Sequence, residues 1–353
     1  MLQSKQTTKY DWTLSCLRSI ATLMIVILHI SQQTERILPE IHVLTDFLGV
    51  SLTFFFCITA QIYAKRTIEH PLRWFAHRYI ELIVPSFLLG LVVVLPAFFT
   101  GSISRSTAID SILSSLGFQV FVRNSWKFIQ LWFLTDILIC YALIPFLQKI
   151  DFKKMGSWKF LASVVLPTVI LQILFSGVKL LAGRTWGGDI RLPGANAISR
   201  FYMAYALFRR YDVEENAVRK IMRVLTVLAV PVVAFTAYIR YVWVVGKAGM
   251  ITSLAELLFL YTVILLGYVL YYWLYLLLKK AKLENQRMLK ISDKLSLPVY
   301  LAHCHFIGYN TSFLWKYDSL AVGILVALTL TLITSIALYY LSKPIKSFLN
   351  RAF

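Results

Sequence analysis

Apolar residues run in blocks of roughly 20, the length an α-helix needs to cross about 30 Å of hydrocarbon, and shorter polar stretches separate them. The blocks predict helices at 14–31, 43–64, 79–100, 128–149, 160–182, 197–209, 221–245, 251–278, 295–314 and 319–342, of which 197–209 is short. The predicted fold is all-α, a polytopic transmembrane helical bundle of about ten helices. It forms a single membrane-embedded domain over 1–353, with no soluble domain, internal repeat or low-complexity linker. The longest less apolar stretches, about 101–127 and 183–196, are expected as loops on the outer side.

Composition supports this. Of 353 residues, 58% are hydrophobic and 15% charged, and mean hydropathy is +0.69, more apolar surface than a soluble core of this length hides. The net charge of +19 raises nucleic acid as a partner. The basic residues, however, fall in short clusters between apolar blocks instead of forming one basic domain. Clusters around Lys65–Arg78, Lys149–Lys159, Arg209–Arg223, Lys279–Lys294 and Lys343–Arg351 all fall on one side if the N-terminus is inside. That is the asymmetry of the positive-inside rule, and an even helix count places both termini in the cytoplasm. The first block lacks a small-residue cleavage pattern and carries Arg18, so it reads as a permanent helix and not a signal peptide. Cys16, Cys57, Cys140 and Cys304 show neither CxxC nor His/Cys ligand spacing, which argues against disulfides and a structural metal.

Charge inside a span is costly, roughly 3 kcal/mol for Arg on insertion scales, and tends to face a polar cavity. Arg18 and His29 lie eleven residues apart on the first helix. At about 100° and 1.5 Å per residue they share a face at depths about 16 Å apart. Either both look into one cavity, or Arg18 snorkels to the inner headgroups while His29 sits at the outer interface. The segment RWFAHRYIELIVP at 73–85 brings Arg73, His77, Arg78 and Glu81 to the mouth of the third helix. Its guanidiniums suit bidentate phosphate binding, or simple orientation against anionic lipid. Trp132 fits an aromatic belt at the start of the fourth helix, and Asp136 lies about a turn inside, needing a partner. The ninth helix carries Ser296, Tyr300, His303, His305 and Asn310, with Tyr300 and His303 on adjoining positions. Lys179, Arg200, Arg240 and Glu256 show no local pattern.

Leu17-Arg18-Ser19-Ile20-Ala21 followed by His29 resembles the Arg-x10-His motif that opens membrane-bound acyltransferase family 3. The resemblance continues through FFFCITAQIYAKR at 54–66, the basic segment ending at Pro85, LWFL at 131–134 and SLPVYLAH at 296–303. The spacing of Arg73, Arg78 and Pro85, with Gln61 near the end of the second helix, is most similar to the intercellular adhesin polysaccharide O-acetyl/O-succinyltransferases. Two positions depart from the pattern: Ser15 replaces a common acidic residue, and Glu81 stands where a second arginine is common.

The resemblance implies a multi-pass enzyme of the bacterial plasma membrane. It would carry an acetyl or succinyl group from cytoplasmic acyl-coenzyme A to a hydroxyl of a surface polysaccharide or its lipid-linked precursor. Acyl-coenzyme A would be a co-substrate, with no bound cofactor and no metal. Expected partners are the bilayer, the glycan and other polysaccharide-biosynthesis proteins, and not nucleic acid. Arg18 with Arg73 and Arg78 would hold the donor, and His29 would act as general base. His303 would orient the acceptor or stabilise an oxyanion, supported by Tyr300, Asp136 and Trp132. Direct attack and an acyl-enzyme relay both stay open. The alternative is a polysaccharide exporter or flippase without covalent chemistry, against which stand the lack of an inverted repeat of broken helices and of a GxxxxGK loop. A sensor or scaffold would leave the same groups as structural contacts.

Overall fold

The computed structural model describes residues 11–34, 39–119, 122, 126–186, 195–246, 252–282, 286–308 and 313–352, and among them the regular structure is all helical. The helices are α1 Trp12–Thr34, α2 Pro39–Asp46, α3 Val50–Ala64, α4 Pro71–Phe99, α5 Arg105–Leu113 and α6 Trp132–Leu147. They continue as α7 Ser157–Trp186, α8 Ala195–Arg210, α9 Asn216–Gly246, α10 Thr252–Lys280, α11 Arg287–Ile307 and α12 Leu320–Ala352. Asn310 and residues 187–194 lie outside the described residues, as do the side chains of Lys179 and Glu256.

Within the described residues, each apolar block falls largely on helical structure. Among the described residues, six stretches are long and apolar enough to cross a membrane, at 12–34, 40–64, 71–99, 216–242, 258–280 and 320–352. The second is composite: α2 runs through a 3-10 turn at Phe47–Gly49 into α3. Apolar side chains stay exposed where lipid replaces water as the solvent, including Leu161, Leu166 and Ile173 of α7, Val224 and Val227 of α9, and Leu325 and Ile333 of α12.

Local chemistry sets several boundaries. Asp11 Oδ1 accepts from Leu14 N at 3.1 Å and caps α1. Pro71 opens α4, where its missing N–H costs nothing. The stretch 101–127, expected as a loop, contains α5, because Ser104 accepts from Thr107 N at 3.2 Å and starts a helix. A π turn follows at Ser114–Phe118, in which Gly117 has φ +90° and offers its carbonyl to Thr135 Oγ1 at 2.7 Å. The expected helix 295–314 begins eight residues earlier, at Arg287, and ends at Ile307. That shift brings Asp293 into the helix.

α3 sits centrally, against α1, α8 and α10, while α11 is wrapped by α1, α4 and α12. At the α3–α10 crossing Gly267 allows close approach, since a Cβ there would lie 2.6 Å from Thr53 Cβ. Segments expected on the inner side gather at one end of the bundle. There Lys65 pairs with Asp212, Lys279 with Glu214 and Arg18 with Asp293. At the same end Lys346 pairs with Glu81 at 2.9 Å, and His77 Nδ1 lies 2.7 Å from Asn350 Oδ1. The hydrogen bond from Lys65 holds the Asp212 carboxyl below the usual carboxylate range. Away from this end, Arg240 of α9 grips Asp46 of α2 through Nε at 3.1 Å and Nη2 at 2.7 Å.

Candidate functional site

The basic end of the bundle opens into a cavity of about 370 Å³. Arg18 of α1, Arg78 and Glu81 of α4, Asp293, Lys294, Ser296 and Tyr300 of α11, and Lys346 of α12 supply its polar lining. Phe55, Ile58, Ile62, Phe133 and Leu134 line its apolar side. The helical register explains the convergence. Asp293, Ser296 and Tyr300 recur at spacings of three and four and so share one face of α11, which α1 covers.

Four cations against two carboxylates leave the lining positive. Arg18 Nη1 donates to Asp293 Oδ1, and Asp293 Oδ2 also accepts from Ser15 Oγ at 3.2 Å. Lys346 Nζ is held by Glu81. The Arg78 guanidinium lies 5.8 Å from the centroid of the Tyr63 ring, and its buried Nε has no hydrogen-bond partner among the described residues. An unsatisfied guanidinium N–H inside a cavity is costly unless a ligand accepts from it.

Farther along α1, His29 Nδ1 lies 2.7 Å from His303 Nε2, with ring centroids 4.9 Å apart. His303 is fully buried, and its Nδ1 is 3.1 Å from the Val299 carbonyl. A carbonyl only accepts, so His303 carries its proton on Nδ1 and turns the Nε2 lone pair toward His29. His29 Nδ1–H then donates to His303, which leaves the lone pair of His29 on Nε2. The chain from Val299 O through His303 to His29 fixes one tautomer of each ring.

An aromatic ladder joins the two regions. Trp132 meets Phe133 edge-on at 6.2 Å, Phe133 meets Tyr300 at 5.4 Å, and Tyr300 lies 5.8 Å from the His303 ring. The Tyr300 hydroxyl donates to the Gln130 carbonyl. Cys304, one turn beyond Tyr300, places Sγ 3.2 Å from His303 Nε2 and 3.6 Å from His29 Nδ1.

The structure thus brings Arg18 and Arg78 to one cavity, and His29 and His303 to one contact. Arg73 is exposed at the start of α4 and is not among the residues lining this cavity. Asp136 is completely buried in α6, within electrostatic reach of Arg200 and Tyr300. The carbonyl of Val299, rather than a carboxylate, accepts from His303 Nδ1. His305, on the same helix as His303, packs edge-on against Phe128 at 5.1 Å. Asp293, Lys294, Lys346 and Cys304 were not among the expected site residues. For Asp293 and Cys304 the signal was register: Asp293, Ser296, Tyr300 and Cys304 form one stripe once α11 is extended backwards.

The family described as an acyltransferase domain, acyltransferase family 3, matches residues 11–340. No curated protein and no solved structure matches the chain.

Proposed function

The chain belongs to acyltransferase family 3, and from that premise we propose that this membrane acyltransferase moves an acetyl or succinyl group from acyl-coenzyme A to a sugar hydroxyl of a surface polysaccharide or its lipid-linked precursor. The observation that carries the reading is a tautomer-fixed imidazole pair set one helical turn beyond a cationic cavity. About 370 Å³ suits the pantetheine arm of the donor. The phosphates stay at the basic mouth, where Arg78 and Arg18 bind them.

The thioester would reach past Tyr300 to the histidines. His29 Nε2 takes the proton of the sugar hydroxyl, the oxygen attacks the thioester carbonyl, and the C–S bond breaks. The proton then passes to the departing coenzyme A thiolate. His303 holds the His29 ring in the productive orientation, much as an orienting acceptor does in a catalytic triad. In this reading the helices cross a bacterial plasma membrane about ten times, with both termini and the basic end of the bundle in the cytoplasm, where acyl-coenzyme A is made. Partners in polysaccharide biosynthesis would supply the acceptor. Family membership and the paired imidazoles favour covalent transfer over export.

The test is transfer of labelled acetyl or succinyl from coenzyme A to glycan by purified protein in detergent. His29→Ala and Arg18→Ala should each abolish transfer while the protein stays monodisperse and keeps its melting temperature. Normal transfer by either variant would overturn the assignment. Loss of surface polymer without loss of its acyl esters in a deletion strain would point to export instead.

A further inference from the structure

We propose that His29, His303 and Cys304 form a binding site for a zinc-like divalent cation, and that its occupancy switches acyl transfer off. The inhibitory part rests on the reading of His29 as general base, whereas the binding part does not.

The three ligand atoms lie within 4.8 Å of one another. The separations are 2.7 Å for His29 Nδ1 to His303 Nε2, 3.2 Å for Cys304 Sγ to His303 Nε2 and 3.6 Å for Cys304 Sγ to His29 Nδ1. A tetrahedral zinc ion with Zn–N of about 2.0–2.1 Å and Zn–S of about 2.3 Å places its ligand atoms roughly 3.3–3.6 Å apart. Both sulfur distances lie close to that range, and the two nitrogens need to open by about 0.6 Å. Small rotations of two side chains supply this.

The surroundings favour a metal over a bare cluster of polar groups. His303 Nδ1–H already donates to a backbone carbonyl, which aims Nε2 at the cluster and fixes its tautomer, as partners of metal-bound imidazoles do. On binding, the metal displaces the Cys304 thiol proton to solvent, and two imidazoles and the resulting thiolate are a borderline-soft set that selects zinc-like ions over magnesium or calcium. Three protein ligands leave a fourth position for water or an acceptor hydroxyl.

Inhibition follows from the tautomer. Catalysis needs the His29 proton on Nδ1 and the lone pair on Nε2. Metal binding takes the Nδ1 lone pair and forces the proton to Nε2, so no basic nitrogen faces the acceptor. Occupancy and catalysis therefore exclude one another at one atom.

The test uses the full-length protein in detergent with cobalt or zinc chloride. Cobalt should give a thiolate-to-metal charge-transfer band that zinc displaces, and zinc should protect Cys304 of the unaltered protein from maleimide alkylation, read by mass spectrometry. Cys304→Ser should lose the band and weaken zinc affinity by about a hundredfold or more, because removing a ligand costs at least what removing a ligand's orienting partner does. Its inhibition by zinc, read relative to its own metal-free transfer rate, should weaken by the same factor as the affinity. Cys304→Ala provides the same comparison if the serine variant melts early. Absence of the band together with unprotected Cys304, or equal zinc affinity in the variants, overturns the site. Binding that leaves turnover unchanged or raises it overturns the switch. Spectroscopy and alkylation read the site even if the protein transfers no acyl group to the glycan tested, so failure of the functional reading is separately visible.

Discussion

Replacing His303 separates orientation from mere packing. The Val299 O to His303 to His29 chain makes His303 Nε2 at 2.7 Å the short-range acceptor for His29 Nδ1–H, with the weakly accepting Cys304 Sγ farther off at 3.6 Å. His303→Leu fills the buried space but removes that acceptor. Leaving a buried donor unsatisfied costs about 1–3 kcal/mol. If half or more of this falls on the catalytic orientation of His29, kcat drops by about 2- to 100-fold at roughly 1.4 kcal/mol per decade. His303→Gln carries an amide oxygen about as far from the backbone as Nε2, so it should restore most of the loss and stay within about tenfold of the unaltered enzyme. The assay is labelled acyl transfer at saturating acyl-coenzyme A, with melting temperatures recorded beside it so that loss of fold is not read as loss of rate. Equal kcat for the Leu and Gln variants at equal melting temperature would refute the orienting role and leave His303 as a packing residue.

Arg78→Ala should raise the KM for acyl-coenzyme A by about tenfold or more and flatten its dependence on salt, because it removes a donor-binding charge from the cavity. Arg73→Ala, at an exposed position outside that lining, should change KM less than about threefold, worth well under 1 kcal/mol. Gly267→Ala forces a methyl to within 2.6 Å of Thr53 Cβ and should cost about 1–3 kcal/mol of stability by overpacking α3 against α10, read as a lower melting temperature in detergent. Asp46→Ala leaves Arg240, whose side chain is 18% exposed, without its carboxylate. It should destabilise by about 2–4 kcal/mol, and an Asp46→Ala/Arg240→Leu double variant should recover part of the loss.

The helical blocks were legible because apolarity alone locates a membrane helix, and within the described residues each block falls largely on helical structure. Apolarity fails at helix ends that leave the hydrocarbon, which is why α12 runs on to Ala352 and α11 begins at Arg287. The second shift hid Asp293, the partner of Arg18, in what looked like a loop. Register within a helix was legible from number alone. Arg18 and His29 were placed on one face by eleven residues of spacing. Arg73 and Arg78 were expected to hold the donor together, but a step of five residues turns them about 140° apart around the axis, and only Arg78 lines the cavity. Contacts across the bundle were not legible: the meeting of His29 with His303 and Cys304 joins positions about 275 residues apart. No local spacing rule for metal ligands reaches across such a gap.

α11 explains why the remaining polar groups escaped a purely hydropathic reading. It is not among the six stretches of the described residues that are long and apolar enough to cross a membrane, yet Ser296, Tyr300, His303 and His305 are all buried within the bundle. A helix surrounded by α1, α4 and α12 meets protein and a polar cavity instead of lipid, so it can carry hydroxyls, imidazoles and a carboxylate without the transfer cost those groups meet in hydrocarbon. Its neighbours bear the lipid contact, as the exposed leucines and isoleucines of α12 show. The property that lowers its hydropathy is therefore the property that lets it line the site from Asp293 beside Arg18 to His303 beside His29, over ten residues and about 15 Å. That distance matches the depth between Arg18 and His29 on the facing helix. The two polar stripes run side by side, which is what a path from a charged donor mouth to a transfer centre requires.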